Sequence, residues 1–90
     1  MHFIYEPGRI YGMDVQGNTI AEVTYEVADG VADINHTFVD DSLRGQGIAG
    51  QLIQAAADVL RKQGLKIKTS CSYAAGWFEK HPEQQDLLAE

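Results

Sequence analysis

Arg44-Gly45-Gln46-Gly47-Ile48-Ala49 lies near the middle of this 90-residue chain, and a long amphipathic run begins directly behind it. Two glycines within four residues free the backbone to curl, so that successive N–H groups converge on one point. The first N–H groups of a helix have no partner within it, and the helix dipole adds partial positive charge there. Together these features make an anion site suited to a phosphate or pyrophosphate. Arg44 at its mouth adds a permanent charge with a planar fork of donors.

From Gly47 to Gln63 the apolar residues Ile48, Ala49, Leu52, Ile53, Ala56, Val59 and Leu60 recur at spacings of three and four. Gln51, Gln54, Asp58, Arg61 and Lys62 fall on the other side, which predicts a helix with one buried stripe. Arg61 and Lys62 suit its negative end, and Gly64 is a left-handed cap. Leu65 to Ser70 follows as a short strand. Tyr73 to Lys80 reads as a helix anchored by Ala74, Trp77 and Phe78. Pro82 stops it, and Glu83 to Leu88 adds a further turn or two.

Upstream of the loop the period is two. Arg9 to about Val15 is a first strand, closed by the turn residues Gln16-Gly17-Asn18. In the run from Thr19 to Val27, Ala21, Val23, Tyr25 and Val27 alternate with Glu22, Thr24 and Glu26, as in a half-buried strand. Asp29-Gly30 is a two-residue hairpin signal. Val31 to Val39 then forms a strand with Ala32, Ile34, His36 and Phe38 on one face. The expected fold is mixed α/β (α+β). An antiparallel three-strand meander leads into a right-handed β-α-β unit, followed by short C-terminal helices. This connectivity brings His36, Val39, the Gly-rich turn, Cys71 and Tyr73 to one sheet edge, where open α/β sheets bind ligands.

Residues 1–90 are expected to form one domain. A net charge of −6 argues against general nucleic-acid binding and mildly favours a cationic substrate such as an amine. No apolar run approaches the roughly 18 residues that span a bilayer, and Met1–Glu6 lacks the features of a secretory signal. A lone Cys71 excludes an internal disulfide and suits a reducing cytoplasm. Cys and His show no metal-ligand spacing, so no metal is expected.

Known phosphate motifs narrow the choice. Gly47 is followed by Ile48-Ala49, so the Lys and hydroxyl of a nucleotide-triphosphate loop are missing. Gly45, Gly47 and Gly50 match the dinucleotide spacing G-x-G-x-x-G, yet they follow a meander instead of opening a doubly wound sheet. Arg44-x-x-Gly47-x-Ala49 instead resembles the Gln/Arg-x-x-Gly-x-Gly/Ala signature of the GNAT acetyltransferase superfamily. His36-Thr37-Phe38-Val39, Gly64-Leu65-Lys66-Ile67, Cys71-Ser72-Tyr73 and His81-Pro82 are similar, in order, to its compact branch of about ninety residues. The resemblance runs from about Thr19 to Leu88.

The resemblance implies a minimal GNAT fold and an acetyl-CoA-dependent N-acetyltransferase. Backbone N–H groups of Gly45, Gln46, Gly47, Ile48 and Ala49 would hold the pyrophosphate of acetyl-CoA, with Arg44 beside it. Phe38 and Val39 would lie along the pantetheine arm, and an N–H near Val39 would hold the developing oxyanion. As a reading of the residue itself, His36 or a water relay removes the amine's proton. Larger relatives place a Tyr as acid where Phe78 stands, so that role passes to Cys71 or Tyr73 or is unassigned.

Each candidate also has a plainer reading. Cys71 is an acid, a nucleophile or a small buried residue. His36 is a base or a core hydrogen-bonder, and Tyr73 a cofactor-wall hydroxyl or an ordinary helix residue. His81 packs or caps before Pro82, and Asp40 and Asp41 serve a turn or a cap. The implied acceptor is a small-molecule or protein amine, and the implied state is a monomer or weak homodimer. The alternatives are a CoA-binding module with little catalysis, or an interaction domain whose glycines only admit a helix.

Overall fold

In a computed structural model, which describes residues 1–89, five strands form one mixed sheet in sequence order. The strands are β1 (Ile4–Glu6), β2 (Arg9–Met13), β3 (Thr19–Ala28), β4 (Val31–Val39) and β5 (Lys66–Thr69). Helix α1 spans Ile48–Lys62 and α2 spans Ser72–Glu79, with 3-10 turns at Asp41–Leu43 and Pro82–Leu87. Strands β1 to β4 are antiparallel neighbours, and β5 runs parallel to β4 after the α1 crossover.

The expected α+β architecture is the observed one, with differences at the N-terminal end. The meander has four strands, because Ile4–Glu6 pairs antiparallel with β2 in the register Ile4↔Tyr11 to Glu6↔Arg9. Strand β2 stops at Met13 because Asp14 turns the chain, accepting from the Gln16 and Asn18 N–H groups at 2.9 Å each. Val15 therefore stands in solvent. The β3–β4 hairpin needs positive φ at both central residues, and Asp29 (53°) and Gly30 (77°) supply it.

The core lies on one face of the sheet. Ile10, Ala21, Val23, Tyr25, Ala32, Ile34 and Ile67 are the buried hydrophobic strand residues, and all point the same way. Against them pack Leu52, Ile53, Ala56, Ala57 and Leu60 from α1, with Trp77 and Phe78 from α2. Both helices therefore cover one face. Among the described residues none packs a helix on the other.

One correction concerns β4. Ala32 and Ile34 face the core, but His36 and Phe38 do not, because Asn35 is an extra residue in the ladder. The register jumps from Tyr25↔Ile34 to Thr24↔His36, which is a β-bulge. Beyond it the parity is reversed, so Thr37 and Val39 sit opposite the core residues Val23 and Ala21. His36 and Phe38 emerge on the helix-free face.

The tail secures the far edge. Arg61 Nη1 meets Asp86 Oδ2 at 2.7 Å, and Lys66 Nζ donates to the Asp86 carbonyl at 2.7 Å. The Ala89 N–H then donates to Ile67 O at 2.8 Å, covering the outer side of β5. Leu52 lies at the centre of this core, so Leu52→Ala is expected to lower stability by about 2–5 kcal/mol. Denaturant unfolding checks this, with the midpoint falling while the slope is unchanged.

Candidate functional site

The 3-10 turn after β4 delivers the chain to the glycine loop. Asp40 caps the turn, its Oδ2 accepting from the Ser42 N–H at 3.0 Å and the Ser42 hydroxyl at 2.6 Å. Asp41 accepts from Arg44 Nη2 at 2.9 Å in an exposed pair, which an incoming phosphate can readily replace. Gly45 and Gly47 take φ of 80° and 71°, a region that strains any side chain. A Cβ at either would meet no protein atom within 4 Å, so both glycines border open space.

Five N–H groups at this turn, those of Gly45, Gly47, Ile48, Ala49 and Gly50, find no protein acceptor among the described residues. The first internal bond of α1 is Gln51 N–H to Gly47 O at 3.1 Å. The run is not continuous: Gln46 N–H turns back to Leu43 O at 3.3 Å, because the 3-10 turn ends there. Four of the free groups lie in Gly47 to Gly50, at the positive end of a 15-residue helix.

Beside the loop, β4 and β5 part. Their pairing ends at Ile34↔Thr69, and β4 continues to Val39 with no strand on that side. The Ile34 carbonyl closes the vertex by accepting from both Ser70 and Cys71 N–H at 3.1 Å. Asp33 clasps it, accepting from the Ser70 N–H at 3.0 Å and the Ser70 hydroxyl at 2.7 Å. The Asp40 N–H donates to Ile20 O on β3 at 2.8 Å. By alternation along the strand, the Val39 N–H points the other way, into the gap.

Cys71 stands at the mouth of this gap, half-buried, at the N-cap of α2. Its thiol contacts the Thr37 hydroxyl at 3.5 Å. Burial pushes the Cys71 thiol up. The Thr37 hydroxyl outweighs this together with the N–H groups of Ala74, Tyr73 and Thr37, and the thiol ends below its ordinary value.

The other candidates are spread around this gap. His36 is open to solvent on the helix-free face, its side chain 56% exposed, with Nε2 3.9 Å from Glu22 Oε1. Phe38 lies exposed on the same face. Tyr73 is 46% exposed, and its hydroxyl lies 3.8 Å from where a Gly50 Cβ would stand, over the first turn of α1. Phe78 is buried and packs edge-on against Trp77. His81 packs rather than reaching the gap: it stacks on Trp77 and its Nδ1 lies 2.6 Å from the Trp77 carbonyl. A shallow depression lined by Glu26, Val31 and Lys68 lies at the Asp29-Gly30 hairpin, the far end of β4 from the loop. Sequence reasoning missed Asp33, Thr37 and Glu22. Thr37 lies inside the His36–Val39 segment, while the other two carry no local signal.

The geometry joins a loop lined by free amides to a gap between parallel strands. The model of the GCN5-related N-acetyl-transferase family matches residues 10–87, and the chain belongs to that family. Protein NATD1 of Gallus gallus and of Homo sapiens are each 37% identical over 68 residues, 74% of this chain. The chain spans 62% and 60% of the lengths of these two curated relatives. A GCN5-like protein from Staphylococcus aureus has a similar structure, with TM-score 0.81 and 35% identity over 98% of this chain and 87% of that one. A GNAT family N-acetyltransferase from Escherichia coli, solved in complex with CoA, matches at TM-score 0.61 and 25% identity, over 68% of this chain and 38% of that one.

Two measurements probe the gap. Thr37→Val removes a group that favours the Cys71 thiolate, so the pH midpoint of iodoacetamide alkylation should move up from the wild-type position. The Ser70 hydroxyl, followed by the Ser70 N–H and the charge of Lys68, holds the Asp33 carboxyl below its usual range. A lowered folded value gives stability that is present above the unfolded carboxylate range and lost as pH falls through the folded one. Asp33→Asn should therefore flatten the acid side of a Tm-against-pH curve.

Proposed function

We propose that this chain moves an acetyl group from acetyl-CoA to an amine, with residues 1–90 acting as one domain. The observation that carries the reading is the set of five unpartnered N–H groups at Gly45 and Gly47–Gly50, set beside the parted strands. In this reading Gly45, Gly47, Ile48 and Ala49 hold the diphosphate through their amides. Arg44 lies beside it, released from Asp41. Gln46 contributes through its side chain or its position, since its amide is engaged. Tyr73, over the first turn of α1, suits a wall of the same subsite.

Acetyl-CoA, when bound, supplies an acyl thioester. Phe38 and Val39 flank the pantetheine arm along the unpaired end of β4. The Val39 N–H steadies negative charge on the carbonyl oxygen, an effect worth about 3–4 kcal/mol where one such donor has been removed. His36 takes the proton released as the new C–N bond forms. Cys71 gives a proton to the sulfur freed as the C–S bond breaks, or acts first as a nucleophile that carries the acetyl group. Its lowered thiol value favours either role. The acceptor is a small-molecule or protein amine, the working state a monomer or weak homodimer, and the lone free thiol suits a reducing cytoplasm.

A second reading, a CoA-binding module with little transfer, is favoured by Phe78, which is buried and has no hydroxyl. Calorimetry with acetyl-CoA should show binding that weakens about tenfold or more in Arg44→Ala and in Gly47→Asp, the latter aiming a carboxylate at the diphosphate. Unchanged affinity in both, or no binding by wild type at high-micromolar ligand, removes both readings. Labelled acetyl-CoA followed by mass spectrometry separates them, with transfer to an amine or onto Cys71 expected for the enzyme and none for the module.

A further inference from the structure

The parity reversal at Asn35 places His36 beside a carboxylate on the neighbouring strand. Glu22 lies on the helix-free face of β3, cross-strand from Phe38 and diagonal to His36. Its Oε2 is bound by Arg9 Nε, and that guanidinium is itself held on several sides. Arg9 Nη2 donates to the Thr19 hydroxyl at 3.2 Å, Nη1 to Glu6 at 3.4 Å, and its carbon sits 3.6 Å over the Tyr11 ring. Glu22 is thereby fixed and largely shielded, with its side chain 21% exposed. The remaining oxygen, Oε1, faces His36 Nε2 at 3.9 Å. Thr24, cross-strand from His36, is occupied, since its hydroxyl donates to Asn35 Oδ1 at 2.6 Å.

We propose that Glu22 is the positioning residue for His36, and that the acceptor amine meets the acyl donor from the helix-free face of the sheet. The inference rests on the acetyl-transfer reading above. With Glu22 Oε1 on the Nε2 side, its negative charge favours hydrogen on that nitrogen and leaves Nδ1 as the basic one. Nδ1 takes the amine proton as the C–N bond forms, and the imidazolium then shares its Nε2 hydrogen with the carboxylate. The contact is at ion-pair distance and tightens to a hydrogen bond as that charge appears. His36 lies two residues beyond Ile34, whose carbonyl marks the vertex, so the proton acceptor stands at the start of the gap.

The test is a double-mutant cycle in steady-state kinetics, using acetyl-CoA and the best substrate of an amine panel. Glu22→Gln should lower kcat about tenfold or more, leaving the KM for acetyl-CoA and its calorimetric Kd unchanged. Glu22→Asp keeps the charge beside Arg9 while withdrawing Oε1, and should lower kcat in the same sense; it serves if the Gln variant does not fold. Adding either change to His36→Ala should cost no further rate. Unchanged kcat in both Glu22 variants, or losses that multiply with His36→Ala, overturns the inference and leaves acetyl transfer standing. Binding of acetyl-CoA with no acetylation of any amine by wild type overturns the transfer reading, and this assignment with it.

Discussion

The carbonyl of Ile34 is the hinge on which the site depends. It accepts two N–H groups, from Ser70 and Cys71, where a parallel ladder would offer it one. After it the two strands diverge: β5 has four residues and β4 nine, so five residues of β4 run on with no strand on the β5 side. Asp33 reinforces the junction from one residue upstream by gripping Ser70 through both backbone and hydroxyl. Everything with chemical potential follows from where this junction falls. Cys71 is held at the mouth because its own amide is part of the closure. Thr37 reaches the thiol because it is the first residue past the bulge to point back toward the core side.

A sequence reader can find most of the frame but not this junction. The change of period at Gly47, the Asp29-Gly30 turn and the stripe from Ile48 to Leu60 are local signals, and each is realised. The stretch Ala32 to Phe38 also alternates without a break, and for that reason it misleads. The bulge at Asn35 is a property of the pairing between β3 and β4, set by where Thr24 and Tyr25 meet their partners. No single strand displays it. β1 is hidden for a different reason: three residues, of which Tyr5 and Glu6 are exposed, give too short a pattern to count. The loss of the Gln46 amide depends on a 3-10 turn anchored by Asp40, again a contact made outside the glycine motif.

The glycine loop shows how an acidic chain can still present a locally positive site. The net charge is −6, and Asp40 and Asp41 both lie within seven residues of Gly47. Arg44 spends its guanidinium on Asp41 at the surface until a guest displaces it, so before binding the attraction comes from the amides. They are fixed in direction by the positive φ values at Gly45 and Gly47, and they are added to by α1. Asp40 contributes to this arrangement although its charge opposes the guest, because its caps to Ser42 hold the turn that aims the loop.

The one-sided core makes the rest of the geometry possible. With both helices on one face, the opposite face must tolerate water, and its central residues are Arg9, Tyr11, Glu22, Thr24, His36 and Phe38, of which Phe38 is the exposed large apolar group. Such a face needs no cover to be stable. It leaves the unpaired edge of β4 approachable from two directions, the loop side where α1 begins and the open sheet side where His36 stands. A regular strand would have buried His36 beside Ile34 and turned Thr37 outward, away from Cys71. The single extra residue at Asn35 reverses both, so one local irregularity exposes the imidazole and partners the thiol together.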